Sequence, residues 1–363
     1  MKNTFGQSVA LTLFGESHGE AVGAVIDGLT PGIPVCDEKI ALALSRRRPA
    51  DVETPRRESD EFQLVSGVFN GKTTGTPLCI LIPNRDVKSD GYTYGQARPS
   101  HADYAAYCKY HGYEDYRGGG HFSGRVTAAA VAAGAIFAEA LSLLNIETGT
   151  HILRCGEETD RAFMDTRADI AALKTALFPT LSAESGKKIS SVIKAAGEAG
   201  DSVGGVTQTA VVGMPAGVGE PWFDTLEGQI SHALFSVGGI KGIEFGGGFA
   251  SVTQRGSVFN DPLRMKNGRV ISTQNNNGGI NGGISNGMPI VFQCAVKPTP
   301  SIHAIQKSVD FVKGEDIDLS VSGRHDPSIL RRICPVIDAM TALVLCDVLA
   351  GRFGTDVFLK GVD

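Results

Sequence analysis

The sequence predicts an α+β fold, without the regular strand–helix–strand alternation of a doubly wound protein. Three observations carry that prediction. Strand-like runs at residues 7–13, 21–27, 63–68 and 79–82 crowd the first quarter of the chain with one helical pattern among them. Residues 126–144 have helical length and are apolar nearly all round, the mark of a buried helix. Both halves then repeat one order, strands followed by a glycine-rich loop and a buried helix, which suggests an internal pseudo-duplication.

Taken in order, residues 7–13 and 21–27 are strands flanking the loop 15–19. Residues 37–48 form a helix with Asp37 and Glu38 in its first turn and Arg46, Arg47 and Arg48 in its last, as the helix dipole favours. Pro49 stops it. Strands at 63–68 and 79–82 precede a long polar stretch, 83–117, rich in Tyr, Asp and His. Loops of that length in compact domains are usually functional or disordered, and the aromatics argue against disorder, so this stretch is a candidate lid. The small residues of helix 126–144 permit close packing. Further helices are expected at 168–177, 184–199, 226–235 and 335–349, and further strands at 205–212, 249–253 and 290–296. No linker, charge block or fixed-period repeat divides the chain, so one domain over residues 1–363 is expected.

Composition narrows the function. Of 363 residues, 42% are hydrophobic and 20% charged, ordinary for a soluble globular protein. Glycine is not ordinary: 46 residues, nearly twice the usual share of ~7%. A net charge of -5 argues against generic nucleic-acid binding. The seven cysteines lack CxxC or zinc spacing, and their odd number suits reduced thiols in a cytoplasm. Residues 1–5 carry no signal-peptide apolar run, and the Ala-rich 126–146 stretch contains Glu139, so neither secretion nor a membrane span is expected.

The chain has no P-loop, no dinucleotide-binding GxGxxG after a strand, no HExxH and no GxSxG. It has instead glycine-rich or polar segments, all but Gly282 to Gly287 carrying His or Arg: Gly15-Glu16-Ser17-His18-Gly19, Arg98-Pro99-Ser100-His101-Ala102-Asp103-Tyr104, Arg117 to Arg125, Gly282 to Gly287, and Arg324-His325-Asp326-Pro327. Alone, His18 or His101 reads equally as a turn histidine. As a set they describe one site for a polyanion: glycine amides and arginines bind charge, and imidazoles transfer protons. Gly118–Gly120 followed by a helix start form an anion cradle. Lys297-Pro298-Thr299-Pro300-Ser301 ends a strand with a cation and two hydroxyls, suited to a phosphate.

The ordered segments GESHG, RPSHADY, YRGGG, SGR, GGISNG, KPTPSI and RHDP, spanning nearly the whole chain, resemble the chorismate synthase family. The resemblance implies a layered β-α-β sandwich, a helical core between antiparallel sheets, assembled as a homotetramer. It implies conversion of 5-enolpyruvylshikimate 3-phosphate to chorismate and phosphate, an anti-1,4 elimination using reduced FMN without net redox change. It assigns substrate anions to Arg46, Arg47, Arg125 and Arg324. His18, beside Ser17, would protonate the leaving phosphate; His101 would manage the proton on the reduced flavin; Asp326, with Ser123, would help flavin N5 accept the ring hydrogen. FMN contacts would come from His121, Phe122, Ser123, Gly238, Gly239, Gly282, Lys297, Pro298, Thr299, Pro300, Ser301 and Arg324. Some fungal relatives also reduce flavin with NADPH and carry insertions; this chain shows none, so a monofunctional enzyme with an external flavin reductant is expected.

Three departures stand out. His121-Phe122 replace an Arg-Ser pair common in the family, removing a cation and adding a ring. The segment Ala50-Asp51-Val52-Glu53 is acidic where an Arg is common, leaving Arg56 as its substitute. Gly238-Gly239 replace Asn-Ala, so contacts there are through backbone. A second reading of the same residues is an FMN-binding protein of this fold with altered or lost catalysis.

Overall fold

The computed structural model describes residues 2–48, 60–85, 92–176, 178–321 and 326–361. Arg56, Arg324 and His325 lie outside the described residues.

Residues 4–83 supply one five-stranded antiparallel sheet and residues 147–296 a second. The first contains β1 (Thr4–Phe5), β2 (Ala10–Gly15), β3 (Ala21–Asp27), β4 (Gln63–Ser66) and β5 (Leu78–Pro83), in the order β1-β2-β3-β5-β4. The second contains β6 (Glu147–Cys155), β7 (Glu158–Thr159), β8 (Gly205–Val212), β9 (Ile240–Phe245) and β10 (Ile290–Val296), in the order β9-β10-β8-β6-β7. Leu78, Ile80 and Ile82 of β5 alternate inward, as period-two geometry requires.

Between the sheets lie helices α1 (Asp37–Arg47), α3 (Thr127–Ser142), α6 (Leu226–Phe235) and the last long helix, α7 (Leu330–Phe353). α3 packs on β3 and β5, α7 packs on β6 and β8, and α3 and α7 pack on each other. One continuous cluster of buried apolar side chains runs from Val9 to Phe358. By length and composition Gly124–Ser142 and Leu330–Phe353 are apolar enough to cross a membrane, but 78% and 89% of their apolar windows are buried within the molecule. Helix α4 (Thr166–Leu173) covers the other face of the second sheet, and α5 (Ala183–Glu198) packs on β6 and β7 with Ile189 and Ile193 in the main core. In α4, Ile170 meets Ala210 and Val212, while Val211 points to the main core. The molecule is therefore an α+β sandwich of two antiparallel sheets around a helical layer.

The structure departs from the sequence expectations at several elements. The first long strand begins at Ala10, not residue 7, because the amides of Gln7, Ser8 and Val9 all donate to the Asp347 carboxylate on α7, at 2.7–3.0 Å. The polar stretch 83–117 contains a helix, α2 (Asp103–Tyr110). α7 starts five residues before Pro335: Arg331 and Arg332 donate to the carbonyls of Arg48 and Arg47, both at 2.9 Å, and pin its first turn to the end of α1. The expected strand at 249–253 is a 3₁₀ turn, Gly248–Thr253, where Glu244 Oε2 accepts from the Phe249 amide. Strands β6 and β9 were not expected at all.

Candidate active site

The site is organised by the turn Arg117–Phe122, which holds three consecutive left-handed glycines, Gly118 (φ +60°), Gly119 (φ +84°) and Gly120 (φ +52°). Space as well as conformation demands glycine. A Cβ on Gly118 would lie 2.1 Å from His18 Cε1, and one on Gly119 2.9 Å from His101 Cε1. The bare backbone thus passes against two imidazoles that are 83 residues apart in sequence. The Gly120 carbonyl accepts from the Ser17 amide at 3.0 Å, and His121 Nδ1 donates to the Gly15 carbonyl at 2.8 Å. These bonds fasten the turn to the loop after β2.

His18 Nδ1 meets Ser17 Oγ at 3.0 Å, and its ring stands edge-on to Tyr92 at 5.4 Å. His101 Nδ1 lies 2.6 Å from Asp103 Oδ1. Arg98 grips the same carboxylate twice, at 2.8 and 2.7 Å. Burial opposes ionisation of Asp103, but the hydrogen bonds from Arg98 and His101 outweigh it and hold the carboxyl well below the usual carboxylate range. His101 Nδ1 also lies 3.0 Å from Arg98 Nη2, so the ring is held at Nδ1 while Nε2 faces Gly119.

Two cavities adjoin the turn. One, of about 250 Å³, is walled by Tyr92, Tyr94, Tyr116 and Phe122 with Arg98 and Asp103. The other, of about 190 Å³, is bounded by Arg47, Ser123, Arg125, Gly238, Asp326 and Arg332. Arg47 and Arg125 are buried, at 1% and 5% exposure. Arg125 pairs with buried Asp60 and donates to Asn84 Oδ1 at 2.8 Å and to the Pro83 carbonyl at 3.1 Å. Arg332 pairs with Asp326.

Among the residues singled out from sequence, Ser17, His18, His101, His121, Phe122, Ser123 and Arg125 therefore sit on or against one turn, and Arg47, Gly238 and Asp326 share a cavity with Ser123. The 297–301 segment joins them. Lys297 Nζ donates to the Ser100 carbonyl at 2.5 Å, Thr299 Oγ1 to the Asp326 carbonyl at 2.7 Å, and Arg98 to Ser301 Oγ at 3.5 Å. Pro298 and Pro300 alternate with these, and the Gly239 carbonyl accepts from the Lys297 amide at 2.9 Å. Burial, with Lys241 adding repulsion, lowers the pKa of the Lys297 amine from its ordinary value. Arg46 turns instead to Asp338, at 3.3 Å. Gly282 occupies the tip of the hairpin Ile280–Asn281 and Ile284–Ser285, which docks on residues 217–226.

Sequence reasoning named Arg98 and Asp103 only as members of the segment around His101, without individual roles, and passed over Asn84, Asp60 and Arg332. The first two had a signal, since they bracket His101 within five residues. The other three reach the site only through tertiary contacts.

A family model described as chorismate synthase matches residues 9–350. The chain is 42% identical to the chorismate synthase of Dehalococcoides mccartyi over 360 residues, covering 98% of each protein. It is 44% identical to that of Opitutus terrae over 362 residues, with 96% of each covered. A solved crystal structure of chorismate synthase superposes with a TM-score of 0.77 at 27% identity, covering 96% of this chain and 94% of that one. Similarity of this extent, on a two-sheet fold that brings the ordered segments to one turn, shows that the chain belongs to the chorismate synthase family.

Proposed function

We propose that this chain eliminates phosphate from 5-enolpyruvylshikimate 3-phosphate to give chorismate, using reduced FMN with no net redox change. The observation that carries the proposal is the pairing of two imidazoles across a glycine turn, with two buried arginines beside it. A substrate with a phosphate and two carboxylates needs that much positive charge to leave water.

The residues present fit the flavin. A Cβ at Gly238 would meet no atom within 4 Å, so the cavity has room against bare backbone there. Lys297, Thr299 and Ser301 supply a cation and hydroxyls for a phosphate, at the junction with Arg98 and Asp326. Ser123, Gly238, Gly239 and the 297–301 segment would hold the cofactor. Reduced FMN, when bound, supplies electron density that eases departure of the phosphate.

The chain's own groups do the rest. His18, held by Ser17 Oγ at Nδ1, is the acid that would protonate the leaving phosphate. Asp103 contacts His101 at Nδ1 and orients the imidazole that would manage the proton on the flavin. Arg47 and Arg125 neutralise substrate anions, with Asp60 and Asn84 fixing the Arg125 guanidinium. Asp326, paired with Arg332 and sharing a cavity with Ser123, would assist removal of the ring hydrogen to the flavin. A homotetramer, an external flavin reductant and a cytoplasmic setting belong to the same proposal.

The test is an anaerobic assay of phosphate and chorismate release with reduced FMN, oxidised FMN and no flavin compared. Turnover is expected only with reduced FMN. His18→Ala is expected to lower kcat by about 10²- to 10⁴-fold while FMN still binds. Folded protein that binds FMN without turnover would overturn the assignment in favour of a flavin-binding role. An unchanged kcat in His18→Ala would remove the role given to His18.

A further inference from the structure

Asn84 follows β5 and lies outside every motif that carries the chemistry. Its side chain makes three directed hydrogen bonds. Nδ2 donates to the carbonyls of Glu16 and Gly19, both at 2.9 Å, and Oδ1 accepts from Arg125 Nε at 2.8 Å. Its backbone amide also donates to the Glu20 carbonyl at 2.9 Å. The two side-chain-bound carbonyls bracket Ser17 and His18. On its far side Arg125 is fixed by Asp60 and the Pro83 carbonyl. One amide therefore spans the loop that carries the imidazole and the guanidinium that faces the cavity.

The chemistry of the position is specific. It needs two N–H donors on one atom and an acceptor on the other, which a carboxamide has and a carboxylate or an alkyl chain lacks. Aspartate would keep the acceptor toward Arg125 but turn an anionic oxygen on two carbonyls. Alanine would release both ends.

We propose that Asn84 is a positioning residue for the elimination: it sets the His18 imidazole against the Arg125 guanidinium. The inference rests on the function proposed above. A displacement of about 1 Å in a reacting group costs on the order of 10²-fold in rate, so the effect should fall on kcat.

Asn84→Asp and Asn84→Ala would be compared with the wild type in the anaerobic assay with reduced FMN. The expected result is a fall in kcat of about 10- to 100-fold with KM changed less than about 3-fold. In parallel, NMR would follow the ring resonances of His18 and of His151, which is fully buried in the second sheet and serves as the control for global change. Both variants are expected to displace the His18 signal and leave His151 unmoved. A kcat in Asn84→Asp equal to wild type, or equal displacement of both histidines, would overturn the inference. If the wild type itself shows no turnover while His18 alone is displaced, the positioning stands and the proposed function falls.

Discussion

A carboxylate shared by an arginine and a histidine is held in its ionised form by both. Asp103 contacts His101 Nδ1 and holds the Arg98 side chain by two bonds. Its depressed pKa gives a signed prediction. The folded form favours the ionised carboxylate, so Asp103 contributes stability that is fully present above the unfolded value, near 4, and is lost as pH falls toward the folded value. Asp103→Asn should therefore melt below the wild type by an amount equivalent to about 2 kcal/mol. The gap should stay constant from pH 8 to about 5 and narrow only below about 4. Melting curves across that range decide it; a gap that closes near neutrality would mean another group is responsible. The histidines and Asp326 were legible in sequence because each sits inside a short motif of glycine, arginine and acid. Asn84 and Asp60 were not, because their partners lie tens of residues away and a lone Asn or Asp beside a strand carries no local pattern.

At the scale of elements, the helical layer depends on close approach of α3 and α7. A Cβ on Gly134 would lie 2.2 Å from Ala339 Cβ and 2.6 Å from its Cα. Neither neighbour can rotate away, so the helices themselves must separate. Gly134→Ala is expected to destabilise the protein by about 1–3 kcal/mol, despite alanine's better helix propensity. A denaturant midpoint equal to wild type would show that the two helices are free to part. The buried helices were plain in the sequence, since long apolar runs with small residues admit few other readings. β6 was hidden for the opposite reason. Its buried Thr150 and His151 find partners in Thr209, Gln208 and Asp160, so polar residues fill an interior strand and its apolar pattern is lost. The 3₁₀ turn at Gly248–Thr253 was mistaken for a strand because its apolar residues are exposed rather than buried, which composition alone does not reveal.

At the scale of the molecule, the two sheets meet function at one cavity. Arg47, Ser123 and Arg125 come from the first half of the chain, and Gly238, Asp326 and Arg332 from the second. A ligand there ties the halves together and binds only the folded protein. It must therefore raise stability by RT ln(1 + [L]/Kd), about 2.7 kcal/mol at a hundredfold excess over Kd. Gly238 provides the control. Its Cβ position is open and its backbone is not left-handed, so Gly238→Val should melt like the wild type without ligand. The added isopropyl group points into free space beside the bare backbone at which the flavin is proposed to lie. FMN should then raise the melting temperature of the wild type and leave Gly238→Val unmoved. An equal rise in both proteins would move the cofactor away from Gly238, and a loss of stability in the variant without ligand would mean the space there is already needed by the fold.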